Sequence, residues 1–105
     1  MQIHFTATPP ADVRLHARLV NQGAALTGLD AVIVEGAAAS AFAGRAAQVF
    51  EGFASVGGAV KRIALSGAGE AGAADRRANL ERAGAALTAK YLVSGETAMV
   101  VDLAH

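Results

Sequence analysis

Val13, Leu15, Ala17 and Leu19 alternate with Arg14, His16 and Arg18. Successive side chains of an extended chain point to opposite faces, so this period-two pattern commits the segment to a strand with one apolar and one polar side. Such a strand needs neighbours in a sheet and a second layer over its apolar face. The other face, with Arg14, His16 and Arg18, is expected to meet water. Asn21-Gln22-Gly23 closes the segment.

The flanking segments supply the rest of the sheet. Ile3 to Thr8 reads as a short strand with Ile3 and Phe5 on one face, ended by Pro9-Pro10, which cannot donate to a ladder. Leu29 to Phe42 supports two readings. Ala31-Val32-Ile33-Val34 is β-branched and locally strand-like. Yet Asp30 is a possible N-cap, and Leu29, Val32, Ile33, Ala37 and Ala41 share a helical face. Local rules leave Asp30 to Ala41 open between helix and strand. Gln48 to Phe53 and Val60 to Ser66 read as strands joined at Gly57-Gly58, a pair able to supply positive φ in an antiparallel hairpin. Asp75 to Val93 reads as helix, with Leu80, Gly84, Leu87 and Tyr91 at helical spacing, Asp75 at its start and Gly95 past its end. Ala98 to Leu103 is a final strand. The order β-β-(α or β)-β-β-α-β, without an internal repeat, fits an α/β chain with helices packed on one sheet. A strand so close to the end, with no second crossover after it, is expected at a boundary inside a larger protein.

The chain has 105 residues, room for a single domain. Nine basic and nine acidic side chains cancel. That balance counts against a nucleic-acid-binding surface or a polybasic membrane module. Alanine makes up much of the 53% hydrophobic content, so the core must come from scattered Val, Leu, Ile and Phe. A domain so built is only marginally stable alone and is expected to lean on a partner surface. There is no cysteine, which excludes disulfides and thiolate metal sites. Met1-Gln-Ile-His-Phe lacks the basic and apolar regions of a secretory signal, and no apolar run approaches membrane-spanning length. The chain reads as cytoplasmic.

Few residues suggest chemistry. Gly67-Ala68-Gly69-Glu70-Ala71-Gly72 is a literal G-x-G-x-x-G between a strand and a helix, the setting of a dinucleotide fingerprint. Gly67, Gly69 and Gly72 would then cradle a pyrophosphate with backbone N–H groups. In that motif the helix starts among the glycines, whereas here it starts near Asp75, which would set a carboxylate where the phosphate belongs. Asp102 also comes late for the acidic residue that reads the ribose. A strand-to-helix loop in a Gly/Ala-rich chain is the simpler account. His4, His16 and His105 have no metal-ligand spacing and read as surface residues, with His4 and His16 on neighbouring strands. Ser66 ends a strand but has no evident base, and no serine lies in a G-x-S-x-G elbow. Arg76, Arg77, Glu81 and Arg82 read as a solvated helix face with weak ion pairing.

Several stretches in order resemble the N-terminal domain of the leucyl aminopeptidases, the cytosol aminopeptidases of peptidase family M17. The opening Met1-Gln-Ile-His-Phe, followed by Thr8-Pro-Pro, is similar to the start of many bacterial members. Phe42-Ala-Gly-Arg-Ala-Ala-Gln resembles the family's F-x-G-K-x-G-(E/Q) stretch, with Arg45 at the Lys position and Ala47 at the second Gly. Arg62-Ile-Ala-Leu-Ser-Gly-Ala-Gly-Glu resembles R-V-L-L-V-G-L-G-K, with Glu70 at the final Lys. Ala83-Gly-Ala-Ala-Leu and Val100-Val-Asp-Leu are similar to the helix and strand that follow.

The resemblance implies a mixed β-sheet with flanking helices, macro-domain-like, and a helix over Asp30 to Ala41. It implies a single non-catalytic domain over 1–105, truncated at its C-terminal end, that serves assembly of a hexamer and access to its active sites. The parent would remove N-terminal amino acids from peptides, using two divalent metals (zinc or manganese) in a catalytic domain outside this chain. The family's N-T-D-A-E-G-R signature is absent here, so no catalytic or metal-ligating residue is expected and this chain alone should cleave no peptide. Some family members bind DNA, a role the neutral charge counts against. The expected partners are the catalytic domain of the same polypeptide and further copies of it. Two alternatives stand beside this reading: a free-standing macro-like module binding a nucleotide or other small ligand at 67–72, and an interaction domain pairing through an open sheet edge.

Overall fold

The computed structural model describes residues 2–7 and 12–102. Five strands and two helices follow in the order β1 (Gln2–Thr6), β2 (Leu15–Asn21), α1 (Ala31–Ala39), β3 (Val49–Val56), β4 (Ala59–Gly69), α2 (Arg76–Tyr91) and β5 (Ala98–Asp102). They form an α/β fold around one mixed sheet of order β1-β5-β2-β4-β3. β1, β5, β2 and β4 run parallel, and β3 returns antiparallel on β4. The parts of the expected strands at Thr8, Pro9, Pro10 and Leu103, and His105, lie outside the described residues.

Each face of the sheet carries one core. On the α2 side, Leu15, Ala17, Ala64, Met99 and Val101 pack against Leu87 and Tyr91 of α2. On the α1 side, Val20, Ala54, Ile63 and Leu65 pack against Ile33 and Ala37 of α1. The second core is the reason Ala31–Ala39, within the segment left open between helix and strand, is helical rather than extended, with Asp30 and Ser40 as its caps. Asp30 caps the first turn by accepting from Val32 N at 2.8 Å. The helix can lie flat because Gly36 and Gly52 leave room for Phe50 and Ile33: a Cβ on Gly52 would stand 2.8 Å from Ile33 Cδ1.

The hairpin forms as expected, with φ of 60° and 83° at Gly57 and Gly58, the positive values a two-residue turn requires. α2 also forms, but Asp75 makes no side-chain cap. The helix is tied to the sheet by Ser66, whose buried hydroxyl donates to Ala83 O at 2.9 Å. None of the described helices is long and apolar enough to cross a membrane.

Two expectations are corrected. β2 has no wet face along its centre, because β5 and β4 flank it and both sides of the sheet are covered. Arg18 is therefore buried and His16 half-buried, and only Arg14 reaches out, to Glu96. His4 and His16 are not on neighbouring strands. β5 lies between them, and both register with Val100.

Candidate functional site

Gly67 and Gly69 of the G-x-G-x-x-G segment belong to a strand, and the strand-to-helix loop begins only after them. β4 continues through Gly69, because its ladder with β2 runs on to Asn21 and Gln22 N donates to Gly69 O at 2.8 Å. Gly67 is buried, and a Cβ there would lie 1.8 Å from Arg45 O. Gly69 N donates to Gly44 O at 2.9 Å. The space a pyrophosphate would need beside these two residues is occupied by the backbone of 44 and 45. Only Gly72 sits in the open turn before α2, with nothing near its Cβ position. These glycines let one chain segment close on another.

That closing segment is Phe42 to Gln48. Gln48 holds it from within: its Oε1 accepts from Ala43 N at 2.9 Å, and its Nε2 donates to Ala41 O at 3.1 Å. Two residues in the segment take left-handed backbone, Gly44 at φ 80° and Ala47 at φ 64°. A glycine adopts this region freely, whereas an alanine meets its own Cβ there.

A cluster of charges joins α2 to the strands near its C-terminal end. Glu96, its side chain almost fully buried, accepts from Arg14 at 2.8 Å and lies 3.7 Å from Arg62. Arg62 reaches Glu51 at 2.9 Å and stacks over Phe53 and Tyr91. Burial, and then the charge of Glu51, push the Tyr91 hydroxyl well above the ordinary tyrosine range, against the opposing pull of Arg62. Each of these charges has a partner, so the cluster works as a brace. Of the expected solvated face on α2, Arg77 and Glu81 lie exposed 3.7 Å apart, but Arg76 turns inward and donates to Ala68 O at 3.2 Å.

The α1 side of the sheet holds a charged cavity that strand order, rather than local sequence, creates. Its volume is about 380 Å³. His16, Arg18, Lys61 and Asp102 line it together with Leu29, Val56 and Ile63. The Arg18 side chain is only 9% exposed. Its Nη1 donates to Thr27 O at 2.7 Å, and its Nη2 stands 3.9 Å from Asp102 Oδ2, too far for a hydrogen bond. Arg18 Nε is buried and has no acceptor among the described residues. Burial lowers the pKa of this guanidinium, and Asp102 opposes the shift. Lys61, also buried, donates to Val13 O at 3.1 Å. His16 Nε2 lies 2.7 Å from the same carbonyl. Sequence reasoning missed Arg18, Lys61 and Asp102 as a group. The available signal was β2 itself: a strand inside a sheet with helices on both faces has no solvent side for an arginine.

The opposite face carries an apolar groove of about 330 Å³ between α2 and the β1–β5 edge, where Ile3, Phe5, Leu80 and Met99 meet. Phe5 is 65% exposed there, on a strand at the end of the sheet. Among the described residues, no group of three or more His, Asp or Glu side chains could hold a metal ion. No family model matches the chain, and neither a curated protein nor a solved structure matches it.

Proposed function

We propose that this chain is a non-catalytic, macro-domain-like N-terminal domain of a leucyl aminopeptidase of the M17 kind, serving assembly and active-site access. The observation that carries the reading is the backbone of Phe42 to Gln48. Its similarity to F-x-G-K-x-G-(E/Q) puts glycine at positions 44 and 47, and those are the two residues of the stretch with left-handed φ. Gln48, at the (E/Q) position, supplies the hydrogen bonds that hold the turn. The similarity of Arg62 to Glu70 has the same physical basis, since Gly67 must admit the carbonyl of Arg45. The motifs thus coincide with sites where this fold needs those residue types.

On this reading the two divalent metals and the peptide chemistry belong to a separate catalytic domain, and the protein works in the cytoplasm as part of a homo-oligomer. The groove holding Phe5 is a surface such an assembly would cover. A second reading, self-association through β1, draws on the same strand: its residues Gln2 to Thr6 carry no Lys, Asp or Glu to block edge pairing.

The test is the intact mass of the native polypeptide that carries this sequence, purified from its source cell. A mass far above 10.5 kDa, with aminopeptidase activity copurifying, supports the aminopeptidase reading. A mass near 10.5 kDa without that activity overturns it and favours the stand-alone readings.

A further inference from the structure

We propose that the cavity on the α1 side of the sheet is a binding site for a small organic carboxylate with an apolar body, gripped by Arg18. The argument starts from the cost of the arginine. A guanidinium taken out of water needs acceptors for its donors, and leaving one unmade is expensive. Arg18 has one short hydrogen bond, to Thr27 O, while its Nε has no acceptor and Asp102 stands back at 3.9 Å from Nη2. The Nε–Nη2 edge of a guanidinium is the fork that takes a carboxylate with two parallel hydrogen bonds.

The charge around the fork agrees. Arg18 and Lys61 both line the cavity, so an anion entering it meets two cationic side chains beside Asp102. The rest of the lining selects for carbon: Leu29, Val56, Ala59 and Ile63 make most of the wall apolar. An inorganic phosphate would leave that wall against water, whereas the tail of an organic acid would cover it. The volume, about 380 Å³, falls at the lower end of small-molecule sites, roughly 300–1,000 Å³. The cavity lies between the β3–β4 turn at Gly57 and the segment leading into α1 at Gly28 and Leu29. It involves neither the 67–72 segment nor the β1 groove, and it does not depend on the aminopeptidase reading.

The experiment titrates the full 105-residue chain with hexanoate and, separately, with inorganic phosphate, by calorimetry and by the arginine Nε–H signals in NMR. Hexanoate is expected to saturate with a Kd below about 1 mM and to move the Arg18 Nε–H signal downfield. Arg18→Gln is expected to weaken binding by about tenfold or more. Should that variant fail to fold, Ala59→Phe at the exposed rim serves instead, since it fills the mouth of the cavity, leaves Arg18 in place and is expected to abolish binding. Absence of saturation by hexanoate overturns the proposal. So does phosphate binding as tightly as hexanoate, which would mark a bare anion site, or hexanoate affinity unchanged in the folded variants.

Discussion

Gly67 and Arg45 are in backbone contact: a Cβ on the glycine would stand 1.8 Å from the arginine carbonyl oxygen. No side chain can yield there, because both neighbours are main chain, Gly44 and Arg45. Gly67→Ala should therefore destabilise the domain by about 3 kcal/mol or more, at the upper end of overpacking penalties. Gly72→Ala should change stability by no more than about 1 kcal/mol, since nothing lies near its Cβ position. Urea denaturation of the two variants measures the contrast. Equal, small effects would mean that β4 does not pass under the 44–45 segment.

Ala47 carries the opposite imbalance. At φ 64° its Cβ crowds the backbone, at a cost of roughly 1–2 kcal/mol for an L-residue. Glycine removes that strain but frees the unfolded chain, which returns part of the gain. Ala47→Gly should stabilise the domain by about 0.5–1 kcal/mol, an unusual sign for a change to glycine. The measurement is a shift of the urea midpoint at unchanged slope. A loss of stability would contradict the left-handed turn and remove the main support for the aminopeptidase reading.

Element order, apart from the segment Asp30 to Ala41, was legible in the sequence because hydrophobic period, turn glycines and helix spacing are local signals. What was left open or missed needed partners distant in the chain. The β-branched run at Val32 to Val34 is helical because Phe50 and Gly52 of β3 shape a bed for it. Arg18 looked solvated because its alternation is that of an edge or one-sided strand, and only the ladders to β4 and β5 bury it. Gly67 and Gly69 looked like a loop because their composition matches one, although both belong to the β2 ladder, Gly69 past an irregularity in the register and at φ 72°. The Arg18 cavity is the extreme case. Its charged residues sit on β2, β4 and β5, and no window of sequence contains two of those strands together.

Tyr91 is the only tyrosine, and there is no tryptophan, so near-ultraviolet absorbance follows its ionisation alone. Its folded pKa is raised, first by burial and then by Glu51. The native state thus holds the phenolic proton more tightly than the unfolded state, whose pKa is about 10. The resulting stabilisation is fully present below pH ~10 and is lost as pH climbs toward the higher folded value, at up to about 1.4 kcal/mol per pH unit. Phenolate absorbance should stay low above pH ~10 until the chain unfolds, and then rise together with loss of helix circular dichroism. Tyr91→Phe should flatten the alkaline decline. Phenolate forming near pH 10 in the folded protein would place the hydroxyl in water.

Phe5 tests the open edge. It is 65% exposed on β1, so its replacement costs the isolated fold little, and Phe5→Lys should leave the unfolding free energy within about 0.5 kcal/mol. A lysine on an edge strand opposes pairing with a second strand and puts a charge into the apolar groove. If copies pair through β1, sedimentation will show wild-type dimers that grow with concentration, and Phe5→Lys will stay monomeric throughout. A wild-type chain that remains monomeric at all concentrations rules out self-association through this edge. The groove would then need a different covering surface. The same substitution placed in the full native polypeptide should weaken its assembly, with the isolated fold unharmed.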